Sequence, residues 1–180
     1  MEKHIFFNSG LLRMEGLHKH ISDKRGVVVT HPHPLYGGDM MNNVVEALCL
    51  AYNECGWSSL RFNFRGVGQS EGSYDNGEGE QEDLAGAIRY LSDSGVEKID
   101  LAGYSFGSWI IARKAKSFGN INRIVMVSPP VDLFDYSSLN NSTETSLILA
   151  GSEDDIADHR SIARILPLWN PDATLQVISG

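Results

Sequence analysis

A chain of 180 residues is long enough for one domain with a substantial core, and 42% hydrophobic residues exclude a disordered chain. A formal net charge of −8 excludes the basic field that a nucleic-acid backbone binder needs. No apolar run reaches the length of a membrane span, and the two cysteines, Cys49 and Cys55, make neither a C-x-x-C pair nor a disulfide framework. Met1-Glu2-Lys3-His4 leads into no long apolar segment, so no secretory leader is expected and the chain reads as cytoplasmic.

The first elements are two short strands, residues 5–8 and 11–14, around Ser9-Gly10, which predict a hairpin. Strands and helices then alternate. Residues 26–30 are too short and too β-branched for a helix. Val44, Val45, Leu48, Ala51, Tyr52 and Cys55 recur at helical spacing, with Asn43 and Glu46 as a capping box and Gly56 as the stop. A strand follows at 58–64, and a second helix is marked by Leu84, Ala87, Ile88 and Leu91. The acidic stretch 75–83 reads as a solvated loop running into that helix. Strands at 99–102, 123–127 and 146–150, a helical stripe of Ile162, Ile165, Leu166 and Trp169, and a last strand at 174–178 complete the pattern. Such alternation predicts an α/β fold with a mostly parallel sheet covered on both faces. Sites in such a sheet form at the C-terminal strand ends, where the irregular stretches 66–79 and 128–145 lie.

The most specific pattern is Gly103-Tyr104-Ser105-Phe106-Gly107, a G-x-S-x-G between the strand at 99–102 and a helical stretch at 109–116. A strand turning at once into a helix holds its corner residue in strained geometry and lifts its side chain clear of the sheet edge. The amides of the new helix face any anion formed there. Gly103 and Gly107 leave room for the turn, and Ser105 is the candidate nucleophile.

Three further stretches stand in matching order. His31-Pro32-His33-Pro34-Leu35-Tyr36-Gly37-Gly38 follows the first parallel strand, and Asn63-Phe64-Arg65-Gly66-Val67-Gly68-Gln69-Ser70-Glu71-Gly72 follows the second. Gly151-Ser152-Glu153-Asp154 follows the strand at 146–150. With the elbow, these resemble the α/β-hydrolase superfamily, most closely its small capless branch related to dienelactone hydrolases. The resemblance covers nearly the whole chain. It implies the three-layer α/β-hydrolase fold with an N-terminal antiparallel hairpin, and one domain over residues 1–180 without a cap.

The resemblance also implies a Ser-acid-His triad and an oxyanion hole, with no cofactor and no metal. Ser105 maps onto the nucleophile and Asp154 onto the acid, with Asp155 as the alternative and Asp132 a more distant one. Phe106 N–H is one oxyanion donor. The other comes from the loop after the first parallel strand; Pro32 and Pro34 have no N–H, which leaves Leu35, or alternatively Tyr36. His31 and His33 shape that loop. The family's histidine follows the last strand, and here only Ser179 and Gly180 stand there. The expectation is a chain cut short before its histidine; the alternative is a replacement from His31, His33 or His159. The function implied is a serine hydrolase of a small carboxylic ester, thioester or lactone, whose partner is a small acyl substrate rather than nucleic acid or membrane. The competing reading is a hydrolase-like binding module that kept the fold and lost its base. The pattern leaves the oligomeric state open.

Overall fold

The computed structural model describes residues 1–119 and 121–179. Eight strands form one sheet: β1 (Lys3–Ser9), β2 (Leu12–Lys19), β3 (Arg25–Thr30), β4 (Ser58–Phe62), β5 (Lys98–Tyr104), β6 (Ile121–Val127), β7 (Thr145–Gly151) and β8 (Thr174–Ile178). Their order is β1-β2-β4-β3-β5-β6-β7-β8. The pairs β1/β2 and β2/β4 are antiparallel and the rest are parallel. Four helices, α1 (Asn43–Glu54), α2 (Glu78–Asp93), α3 (Phe106–Lys114) and α4 (His159–Trp169), supply crossovers that parallel neighbours require.

The side-chain period of two sorts the core. Val27 and Val29 of β3 pack under α1 with Val45 and Cys49. Val28, between them, faces the opposite layer with Leu60, Leu84, Ile88 and Ile110. That second layer holds α2, α3 and α4 over the length of the sheet. Coverage, expected on both faces, is uneven. Beyond α1, Leu147 and Leu149 of β7 stay half-buried beside a groove of about 360 Å³ lined by Tyr52, Trp57 and Val125. Both cysteines are free thiols, Cys49 in the core and Cys55 exposed at the end of α1.

Three expectations need correction. The second hairpin strand runs on to Lys19, because Gly16 to Lys19 pair with β4 and gain a ladder that their polar sequence does not advertise. The cap of α1 is Asn42, whose Oδ1 accepts from Val44 N–H at 2.9 Å; Glu46 turns away and binds Arg61 at 2.8 Å. The acidic stretch before α2 is not solvated throughout. Glu80 is buried and accepts from Asp75 N–H (2.9 Å) and Gly77 N–H (2.8 Å), closing the loop onto the helix start.

Asp83, with no side-chain exposure, accepts three hydrogen bonds from Arg65: backbone N–H and Nε at 3.0 Å, and Nη2 at 2.8 Å. This pair fixes the loop after β4 to α2. Removing the arginine leaves a carboxylate stranded in the interior. Arg65→Ala is therefore expected to lower the unfolding free energy by about 3–5 kcal/mol in urea titration. A loss below about 1 kcal/mol would mean that water already screens the pair.

Candidate active site

The strand order reverses between β3 and β5: β4 lies on one side of β3, and the chain returns to β5 on the other. Such a switch point opens a crevice at the C-terminal strand ends. Thr30, the last residue of β3, is in register with Gly103 of β5, so the two following loops must emerge side by side. One is the His31–Gly38 segment and the other is the elbow.

At the elbow Ser105 has φ 51° and ψ −120°, a left-handed conformation that a residue with a Cβ adopts at a cost of about 1–3 kcal/mol. Its N–H donates to Val127 O at 2.9 Å, and its carbonyl accepts from Ser108 N–H at 2.9 Å. The turn is possible because its flanks are glycine. A Cβ on Gly107 would stand 2.6–2.7 Å from Thr30 Oγ1 and the carbonyls of Thr30 and His31, and one on Gly103 would meet Ser108 N at 2.7 Å. Ser105 itself is half-buried at the open edge. Phe106 opens α3, so its N–H has no carbonyl one turn back to bind.

The loop after β3 is a single 3-10 turn, Pro34–Tyr36, capped by the His33 side chain. Leu35 N–H donates to His33 Nδ1 at 3.2 Å, and Tyr36 N–H donates to His33 O at 3.1 Å. Both expected oxyanion donors are thus committed within the turn, and Leu35 and Tyr36 project their side chains into solvent. That corrects the sequence expectation. Its physical reason is the imidazole cap, an acceptor that the absence of N–H groups at Pro32 and Pro34 did not reveal. Among the described residues His33 N–H has no hydrogen-bond partner.

The tautomers follow from the partners. Since Leu35 donates to Nδ1 of His33, the ring proton sits on Nε2 and points to Tyr74 Oη, 3.2 Å away. The His33 ring packs on Phe106 at 4.6 Å, Tyr36 at 4.8 Å and Tyr74 at 5.0 Å, and burial holds its pKa below the ordinary value. His31 is fully buried: Nε2 accepts from Phe64 N–H at 3.0 Å, so Nδ1–H donates to Pro32 O at 2.6 Å. It clamps the loops after β3 and β4 together. Neither ring has a free nitrogen to serve as a base.

Asp154, just past β7, is half-buried. Its Oδ1 accepts from Ile156 N–H at 3.0 Å and Ala157 N–H at 2.9 Å. Burial alone would raise its pKa, but Ala157 N–H, the Ser128 hydroxyl and Ile156 N–H together hold the carboxyl below its usual range. Asp155 and Asp132 are both exposed, the latter in the loop after β6. Ser128, which sequence reasoning passed over, follows β6 with φ 45° and donates its N–H to Leu149 O at 2.8 Å. Its only sequence signal was its place at a strand end before Pro129-Pro130. Ser105 and Asp154 end strands two apart, a span of roughly 10 Å at the usual strand spacing.

The remaining histidines are engaged elsewhere. His4 meets Glu15, His18 meets Tyr90, His20 meets Asp23, and His159 lies beside Asp158 at the start of α4. Among the described residues no histidine side chain makes a hydrogen bond or ion pair to Ser105 or Asp154, and no three His, Cys, Asp or Glu side chains are grouped to hold a metal. Nor is any helix among them long and apolar enough to cross a membrane.

No family model matches the chain. An uncharacterised protein of Rickettsia prowazekii is 36% identical over 159 residues, 84% of this chain and 67% of that protein. Among solved structures, an α/β serine hydrolase homologue from Coxiella burnetii is 34% identical with a TM-score of 0.90, over 99% of this chain and 87% of its own. A lidless α/β serine hydrolase from Xanthomonas campestris is 26% identical with a TM-score of 0.86, over 99% and 84%.

The clamp at His31 carries a pH consequence. Burial lowers its pKa from 6.5 to about 4. On acidification the unfolded chain takes up this proton first, so the contribution is intact above pH 6.5 and drains away as pH falls toward about 4. The full loss is on the order of 3 kcal/mol. Urea unfolding of wild type and His31→Asn across pH 7 to 4 checks this: the wild type loses more stability over that window. Parallel curves would show that His31 does not titrate apart from its unfolded value.

Proposed function

The chain belongs to the α/β serine hydrolase family, and on that footing we propose that it cleaves small carboxylic esters, thioesters or lactones through an acyl-serine on Ser105. The observation that carries the reading is the strained Ser105 backbone beside two unpartnered amides, Phe106 N–H on α3 and His33 N–H on the loop after β3. A scaffold alone has no use for that strain. Attack of Ser105 Oγ on the acyl carbon gives a tetrahedral oxyanion, which these two amides would hold. Expulsion of the alcohol or thiol leaves the acyl-serine, and water then releases the acid. Each donor of this kind is worth on the order of 3 kcal/mol to the transition state.

Asp154 is the acid of choice over Asp155, because two backbone amides and a hydroxyl keep it ionised and fixed in place. An imidazole is the right size to bridge the space between it and Ser105, taking the serine proton on one nitrogen while the other is held by the carboxylate. None of the six histidines in the sequence stands there among the described residues. The competing reading, a binding module that kept the fold without a base, rests on that fact alone.

Fluorophosphonate labelling of the protein expressed from its full reading frame decides between them. The wild type is expected to label at Ser105, Ser105→Ala not at all, and Asp154→Asn at least about a hundredfold more slowly. If the wild type labels no faster than Ser105→Ala, the enzyme reading fails and the binding module stands.

A further inference from the structure

The carbonyl of Ser105 is the most heavily tied group at the elbow. It accepts from Ser108 N–H at 2.9 Å and from Ser108 Oγ–H at 2.6 Å. The Ser108 hydroxyl in turn lies 2.7 Å from Tyr136 Oη. Its single proton is spent on the Ser105 carbonyl, so Tyr136 is the donor of that contact. Tyr136 sits on the loop after β6, almost completely buried, and its ring stacks on Trp169 of α4 with centroids 5.4 Å apart. Burial pushes its phenol far above the ordinary value, so it remains a donor.

A serine bonding back to a carbonyl three residues earlier is ordinary in helices. The difference here is that a buried tyrosine from another element commits its one polar atom to holding that serine. The Ser105 carbonyl and the Phe106 N–H belong to one planar trans peptide and point in opposite directions. Rotation about ψ of Ser105 swings both. A group that pins the carbonyl therefore aims the amide, and a strained ψ needs such over-determination to persist.

We propose that Ser108 and Tyr136 are positioning residues: a relay Tyr136 O–H to Ser108 Oγ–H to Ser105 carbonyl locks the peptide plane that presents Phe106 N–H to the oxyanion. The proposal rests on the acyl-transfer reading above. Neither residue touches the substrate. Through them the loop after β6 and α4, which share no strand with the nucleophile, set the geometry of the oxyanion site.

The test compares wild type with Ser108→Ala, Ser108→Thr and Tyr136→Phe in the protein from its full reading frame. It uses hydrolysis of p-nitrophenyl acetate and the ¹H–¹⁵N resonance of Phe106. Ser108→Ala is expected to lower kcat about tenfold with KM unchanged, because a mis-aimed donor costs transition-state binding alone. Tyr136→Phe is expected to act in the same direction with smaller effect, and Ser108→Thr, which keeps the hydroxyl, to restore the rate. The Phe106 amide should broaden by exchange in Ser108→Ala and sharpen again in Ser108→Thr. A Phe106 resonance unbroadened in Ser108→Ala overturns the relay whatever the rate does. So does an unchanged kcat in an enzyme whose wild type is active. Should the wild type hydrolyse the ester no faster than Ser105→Ala, the acyl-transfer reading falls, and the Phe106 resonance still decides whether the relay holds the peptide plane.

Discussion

The structure depends on one close approach: the backbone at the end of β3 lies directly against the first turn of α3. Gly107 has room for a hydrogen only, with Thr30 and His31 carbonyls on its far side. The register of Thr30 with Gly103 brings the two chains to this point, where the strand order also reverses. Any side chain at 107 would push the helix off the strand and separate the amide of Phe106 from the loop that carries His33. Strain at Ser105 is sustained because the elements on either side cannot move apart independently.

Polar groups buried around this contact do the holding. His31 bonds the loop after β3 to the loop after β4, Arg65 and Asp83 bond the latter to α2, and Glu15 on β2 accepts from Asn63 and Gln69 within the same loop. His31, Asp83, Glu15 and Asn63 are buried and hydrogen-bonded, so loss of a partner strands a polar group in the interior. The site edge is therefore stiff in its backbone, while the side chains of Leu35 and Tyr36 project from it into solvent.

Much of this was legible in the residues. The hairpin and the alternation of strands and helices follow from periodicity, the elbow at Ser105 from its G-x-S-x-G pattern, and the turn bearing Asp154 from the family resemblance. The misreadings share a cause. Elimination of the prolines points to Leu35, but the His33 imidazole folds back and occupies its N–H, a side-chain contact that spacing cannot show. Asn43 looked like a cap because Glu46 stands three residues on, yet Arg61, distant in sequence, draws Glu46 away. Ser128 and the Tyr136–Ser108 contact were invisible for the same reason: they join elements 20 or more residues apart, and no local period encodes such a meeting.

The most direct test of the account is a crystal structure of the phosphonylated protein, whose tetrahedral phosphorus stands in for the acyl-transfer intermediate. The account predicts phosphorus bonded to Ser105 Oγ and its free oxygen about 3 Å from both the Phe106 and His33 amide nitrogens. An adduct whose oxygen turns to solvent, or bonds to neither amide, would contradict it.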